Sequence, residues 1–206
     1  MEQKEITWEG PFTWDYIENI KKSDLPDIPK VLNTEGIYIF TFRFNGGYVV
    51  YWPGVTYTRP LIERLQEHPP KFRTGQYNVL DIDCALKGER QVIWDGWPPK
   101  GKEREYKLKF KADEKNLEAA KNQLRATNIF VTGIPGKDSE NQRLRKRIES
   151  SIANNLYNSK ESWAKLIDKE MNVDYPIWTD HGEEPIEIKN ICEHEIYGLP
   201  EILKLY

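Results

Sequence analysis

GIYIFTFRFNGGYVVYWPGVTYTRPLIERLQEH, residues 36–68, is the stretch on which the fold turns. Ile37–Phe44 is rich in β-branched and aromatic residues, Asn45-Gly46-Gly47 is a strong turn signal, and Tyr48–Val55 returns in the same chemistry. The segment therefore predicts a tight β-hairpin. Thr58 can cap a helix from Arg59 to His68, with Pro60 tolerated in its first turn and Pro69-Pro70 ending it. A two-residue turn pairs even-numbered residues of the first strand with odd-numbered ones of the second, so Tyr38 and Tyr51 share a face and Tyr48 points away. A three-residue turn, or a bulge at Trp52-Pro53, would undo that pairing. On the helix, Arg64 and His68 are one turn apart and share a face. Four polar groups thus have a route to one surface.

Working outward, Phe12–Lys22 reads as a short helix ahead of a Pro-punctuated loop. Val79–Leu86, Gln91–Trp94 and Tyr106–Lys111 read as strands, separated by the Gly/Pro-rich DGWPPKGK. Asp113–Ala126 is a helix by propensity, and Asn128–Ile134 a buried strand. A long helix runs from Ser139 to about Tyr157, with Leu144, Ile148, Ile152 and Leu156 as its apolar stripe. A shorter helix is expected over Lys160–Lys169, and the chain beyond it reads as irregular. The order β-β-α, extra strands, α-β-α describes an α/β domain with an insertion between its halves.

The whole chain carries a formal charge of −3, but residues 161–206 hold 11 acidic and 4 basic side chains, leaving +4 for residues 1–160. The whole-chain balance is therefore a poor guide to the surface of the main body. Basic residues cluster at Lys100–Lys111 (KGKEREYKLKFK) and Arg143–Arg147 (RLRKR). The apolar runs are strand-sized, so no membrane span is expected. The N-terminus lacks a signal-peptide pattern, and Cys84 and Cys192 are far apart, which fits reduced thiols in a cytoplasmic protein. Cys84, His181, Cys192 and His194 lack paired-ligand spacing for zinc, and NIFVTGIPGKDS fails the order of a phosphate loop.

Gly36-Ile37-Tyr38, then Tyr51-Trp52-Pro53-Gly54, then Arg64 and His68, and finally a strand followed by a helix bearing Glu149, resembles the signature of the GIY-YIG nuclease family. The resemblance spans residues 35–68 and 128–160, less than half of the chain. It departs from the pattern where Y-W-P-G is one residue longer than Y-I-G, and in the long spacing from His68 to Glu149. It implies a small, mainly antiparallel three-stranded sheet flanked by helices, occupying residues 35–160. A β-rich insertion at 79–111, an N-terminal extension over 1–34 packed on the core, and an irregular acidic extension over 161–206 complete the expectation.

The same resemblance implies a metal-dependent endonuclease. Glu149 would hold one Mg²⁺ or Mn²⁺ ion, Arg64 would clamp the scissile phosphate, and Tyr38, Tyr51 and His68 would position and deprotonate water. Either Tyr38 or His68 is the base. The family asparagine after the glutamate is Asn155 or Asn158. The expected partner is DNA, duplex or branched, contacted through Lys100, Lys102, Arg104, Lys107 and Lys109 and through Arg143, Arg145 and Arg147. A nicking monomer and a double-strand-cutting homodimer are both open. The competing readings are a nucleic-acid-binding module that has lost turnover and a protein-interaction module.

Overall fold

The computed structural model of the chain describes residues 2–167 and 184–205. Its strands are β1 Glu2–Thr7, β2 Glu9–Thr13, β3 Gly36–Phe44, β4 Gly47–Val55, β5 Val79–Leu80, β6 Val92–Trp94, β7 Asn128–Gly133, β8 Ile186–Ile191, β9 Ile196–Tyr197 and β10 Ile202–Leu205. Its α-helices are α1 Trp14–Asn19, α2 Leu61–Leu65, α3 His68–Phe72, α4 Ile82–Ala85, α5 Glu103–Lys111, α6 Glu114–Ala126 and α7 Ser139–Asn158. The architecture is α/β with mixed sheets.

The expected three antiparallel strands are present as β7-β3-β4, but they are the middle of a five-stranded sheet ordered β2-β7-β3-β4-β9. The N-terminal β2 joins one edge antiparallel, and β9 joins the other in parallel. All nine residues of β4 and the first seven of β3 are buried, so both faces of these central strands are covered. One face packs α1, α2, α3 and α6 through Trp14, Leu61, Leu65, Phe72 and Leu124 against Tyr38, Phe40, Tyr51 and Trp52. The other packs α7 through Ile148, Ile152 and Leu156 against Ile37, Ile39 and Val50.

The hairpin forms as the sequence dictates. Asn45 and Gly46 take φ of 45° and 83°, the left-handed pair that a two-residue turn requires. Phe44 lies opposite Gly47 and Thr41 opposite Val50, but Phe40 then lies opposite Trp52. Tyr51 is thus an extra residue in β4, a bulge immediately before Trp52-Pro53. Tyr38 comes to lie opposite Gly54, whose missing side chain leaves room for the phenol: a Cβ there would sit 2.2 Å from the Tyr38 ring.

Several expectations need correction. The helix after the hairpin is two short helices, because Pro69 and Pro70 fit the first turn of a new helix better than they end an old one. Phe12 and Thr13 belong to β2, and Thr13 instead caps α1 by accepting from the Tyr16 N–H. The insertion is not β-rich. Tyr106–Lys111 is helical, its alternating pattern overridden by strong helix formers and the Glu105–Lys109 ion pair at i, i+4. Val79–Leu86 is a two-residue strand followed by the turn of α4, which Asp81 caps. The expected helix at Lys160–Lys169 is a 3₁₀ turn over Ser162–Leu166, and its last two residues lie outside the described residues. The C-terminal segment is not irregular where it is described: β8 pairs in parallel with β1 and antiparallel with β10 in a separate three-stranded sheet.

Arg145 ties the two halves together. It is fully buried, donating from Nε to the Thr56 carbonyl (2.9 Å), from Nη1 to Ile134 (2.5 Å) and from Nη2 to Tyr57 (2.6 Å). It holds the chain after β4, the end of β7 and the start of α7 in one arrangement. Arg145→Met leaves three carbonyls without these donors at about 1 kcal/mol each. A loss of about 3 kcal/mol is expected in urea unfolding, and an unchanged midpoint would show that solvent replaces the guanidinium without cost.

Candidate functional site

Tyr38 enters the site from β3 because its ring lies over Gly54. Its hydroxyl is 2.9 Å from His68 Nε2, a hydrogen bond whose direction follows the His68 tautomer. His68 is completely buried at the start of α3, ringed by Phe40, Tyr77, Trp52 and Trp14 at centroid distances of 5.0, 5.7, 6.1 and 6.2 Å. That enclosure lowers its pKa well below the ordinary value, and the nearby Arg64, Lys71 and Arg59 cations push in the same direction. His68 is therefore neutral at pH 7.

Arg64, on α2, also interacts with the Tyr38 hydroxyl, by charge and by a side-chain hydrogen bond. Its Nη1 donates to Glu67 Oε2 at 2.8 Å, and Glu67 is also gripped by both terminal nitrogens of Arg59. The carboxylate thus aims the guanidinium. Burial works against the Arg64 charge, but Tyr38 and Glu67 hold its pKa above the ordinary value. Tyr38 is pushed strongly up by burial, with Arg64 pulling it down and Glu149 pushing it up.

Glu149, on α7, completes the group. It is 6% exposed and within electrostatic reach of both Tyr38 and Arg64. Lys146, one turn earlier, donates to Glu149 Oε2 at 2.9 Å and is itself buried. Burial raises the Glu149 pKa; Lys146 and Arg64 oppose the rise. Tyr38, Arg64, His68 and Glu149, drawn from four separate segments, are thereby brought together. Tyr51 is not. Its ring stacks on Phe42 at 4.2 Å, and its hydroxyl bonds Thr127 Oγ1 at 2.9 Å on the way from α6 into β7. Tyr51 shares its buried layer with Tyr38, as the strand pairing predicts, with Tyr48 in the opposite one, but its hydroxyl is directed to Thr127.

The other expected contacts divide. Lys100, Lys102, Arg104, Lys107 and Lys109 are exposed on α5 and the loop before it, and Arg143 is half-buried on α7. Arg145 and Arg147 are placed inside the protein. The first is the backbone tie described above, and the second donates to the Glu184 and Leu205 carbonyls at 3.2 Å each. Asn155 and Asn158 are both exposed and line a groove with Trp163 and Tyr197. Among the described residues no three His, Cys, Asp or Glu side chains gather as a metal cluster, and His181 lies outside them. A cavity of about 590 Å³ opens elsewhere, between α4 and α6, with Asp81, Asp83, Lys115 and Arg125 in its lining. Its mixed charges favour no one ligand chemistry.

Sequence reasoning missed three residues of the site. Lys146 was legible as an opposite charge at i, i+3 from Glu149, but it sits inside RLRKR and reads there as a solvated cation. Glu67 was legible in the same way, three residues after Arg64. Tyr77, from the loop before β5, had no signal at all. It is 4% exposed, and burial raises its pKa to about 12, with Arg64 pulling it down. Comparison with protein-family models, with curated proteins and with solved structures returns no match.

For a divalent ion the donor set is one buried carboxylate, Glu149, which suits a hard cation that takes its remaining ligands from water and substrate. Lys146 occupies that carboxylate. Lys146→Met would leave it buried and unpaired, a cost that a divalent cation relieves. Mn²⁺ affinity, measured by electron paramagnetic resonance titration, is expected to rise at least tenfold. Equal or weaker binding would remove Glu149 as the ligand.

His68 also makes stability depend on pH. Its native pKa lies below its unfolded value of about 6.5, so the unfolded chain binds the extra proton first. Its contribution is present above pH 6.5 and is lost as pH falls towards the native pKa, by at most about 1.4 kcal/mol per pH unit. Glu149, raised, has the opposite sign: its contribution is present below about pH 4.5 and fades as pH rises through the native pKa. Urea midpoints of the wild type should fall between pH 7 and 5.5, and those of His68→Gln should fall less. Parallel curves would show that His68 protonates freely in the native state.

Proposed function

We propose that the chain is a metal-dependent endonuclease that hydrolyses phosphodiester bonds, with DNA as the favoured substrate. What carries the reading is the convergence of Tyr38, Arg64, His68 and Glu149, brought together across β3, α2, α3 and α7. Hydrolysis of a phosphodiester needs its charge neutralised and a water activated. Arg64, held by Glu67, presents a fixed guanidinium to the phosphate. A divalent ion on Glu149 would add charge neutralisation and a bound water of lowered pKa.

Of the two candidate bases, His68 is sealed behind aromatic rings and meets the site through Tyr38. The Tyr38 oxygen takes the proton from water while its own proton passes to His68 Nε2. The water oxygen bonds to phosphorus, the ester oxygen leaves, and solvent protonates it. In the free protein burial opposes a proton on His68, and three cations add to it. A phosphate on Arg64 offsets them, so the relay is favoured when substrate is present. Lys100, Lys102, Arg104, Lys107 and Lys109, with Arg143, supply phosphate contacts outside the site.

The Lys146–Glu149 pair favours a second reading, a binding module without turnover, because the carboxylate is already neutralised. Cleavage of supercoiled plasmid at low salt with Mg²⁺ or Mn²⁺ separates the two. Wild type is expected to nick or linearise. Glu149→Ala and Arg64→Ala should lose activity by at least a hundredfold, while Tyr51→Phe should keep most of it. A wild type inert on duplex, single-stranded and branched DNA leaves the binding module as the better reading, and mutants as active as wild type would remove this site.

A further inference from the structure

Lys71 is half-buried on α3, one turn after His68, and the hydrolysis proposed above makes no use of it. The carboxylate placed to pair with it is Glu67, four residues earlier, but Arg59 and Arg64 both engage Glu67. Lys71 makes no ion pair among the described residues. Its ammonium instead lies 5.6 Å from the centroid of the Tyr77 ring. That ring is fixed. It is 4% exposed, and Trp52, Phe72, Trp97 and His68 pack on it at centroid distances of 4.9, 5.1, 5.1 and 5.7 Å. Gly96 lies so close to the same residue that a Cβ would sit 2.2 Å from the Tyr77 carbonyl carbon.

The face of an aromatic ring attracts an ammonium only modestly. Here that attraction stands against burial and two like charges. Burial lowers the Lys71 pKa, Arg64 and Arg59 lower it further, and Glu67 opposes them. The same three cations, Arg64, Lys71 and Arg59, all act on His68. They share one carboxylate, Glu67, which bonds the two arginines and leaves the lysine without a counter-charge of its own. An anion is what this arrangement lacks. Arg64 offers a planar fork and Lys71 a rotatable point charge, the two ways in which side chains hold a phosphate.

We propose that Lys71 is a second phosphate-holding residue of the site, its ammonium donating to a non-bridging oxygen of the phosphodiester that Arg64 clamps. This rests on the nuclease reading and adds a binding residue to it. A lysine that only covered Tyr77 would gain from a carboxylate beside it. This one has its neighbouring carboxylate taken by two arginines, and it shares its electrostatic surroundings with Arg64 and His68.

Amine acylation of the full chain in EDTA, read lysine by lysine by peptide mass spectrometry, tests this without cleavage. The probes are inorganic phosphate, sodium acetate at the same ionic strength, and a short DNA duplex. Phosphate and duplex should each slow labelling of Lys71 about tenfold at about nine times their Kd, and acetate by less than about twofold. In Arg64→Ala the protection by phosphate should also fall below about twofold, because the two side chains hold one anion. Lys71→Met should bind the duplex with a salt slope shallower by about 0.9, one phosphate contact, at an unchanged urea midpoint. Three results would each overturn the proposal: equal labelling of Lys71 with and without phosphate, acetate as protective as phosphate, or a wild-type salt slope in Lys71→Met. If the duplex protects Lys100 and Lys102 while Lys71 labels freely, DNA binding survives that failure. If the duplex protects no lysine, both readings fall.

Discussion

Residue 54 has to lack a side chain for this site to exist. The Tyr38 ring occupies the space above Gly54, and from there its hydroxyl bonds His68 and interacts with Arg64. What brings Gly54 opposite Tyr38 is the bulge in β4. Without the extra residue Tyr51 the register of the turn would continue, and Tyr38 would face Pro53. Turn, bulge and glycine act as one device. The turn fixes the register, the bulge shifts it by one, and the glycine accepts the ring that the shift delivers.

That device explains which parts of the site were legible in the sequence. The hairpin was, because Asn45-Gly46 dictates its turn chemistry and the strands flank it directly. So was α7, whose apolar residues recur every four positions and whose Asp138 caps its first turn. Tyr38, Arg64 and His68 lie on the hairpin and the helix after it, but the four residues, Glu149 above all, could be named together only through the resemblance to the nuclease signature. Tyr51 lies in the same layer as Tyr38, with Tyr48 in the opposite one, as the pairing predicts, but its hydroxyl's partner Thr127, 76 residues away, had no local signal. Arg145 and Arg147 look like a basic patch in one dimension, yet their partners are carbonyls up to 89 residues away in sequence. The same limit hid β8, β9 and β10, which take their strand geometry from pairing with β1, β4 and β8 respectively.

The insertion was misread for a different reason. Tyr106, Leu108 and Phe110 alternate with charges as an amphipathic strand would, but Leu108 is 62% exposed and Phe110 alone is buried on α5. Alternation here reports no buried face. The helix is held by Phe110 packing on Trp94 and by ion pairs along its surface, interactions that period-two counting does not weigh.

The charge balance of the site supplies the strongest physical reason to look for an anionic ligand. The groups whose charges act on Tyr38, Arg64, His68 and Glu149 include the cations Arg59, Arg64, Lys71 and Lys146 and the carboxylates Glu67 and Glu149. Among the described residues these are four cations against two carboxylates, with the Arg59–Glu67 pair at the exposed edge and the Lys146–Glu149 pair buried. Burial is the larger cause of the lowered pKa of both His68 and Lys71, and the neighbouring cations add to it. A phosphodiester brings one negative charge, and at the Arg64 guanidinium it would relieve both residues at once. On the proposed reading, a phosphate at Arg64 would offset the part of the opposition to a proton on His68 that comes from the cations, while the larger part that comes from burial would remain.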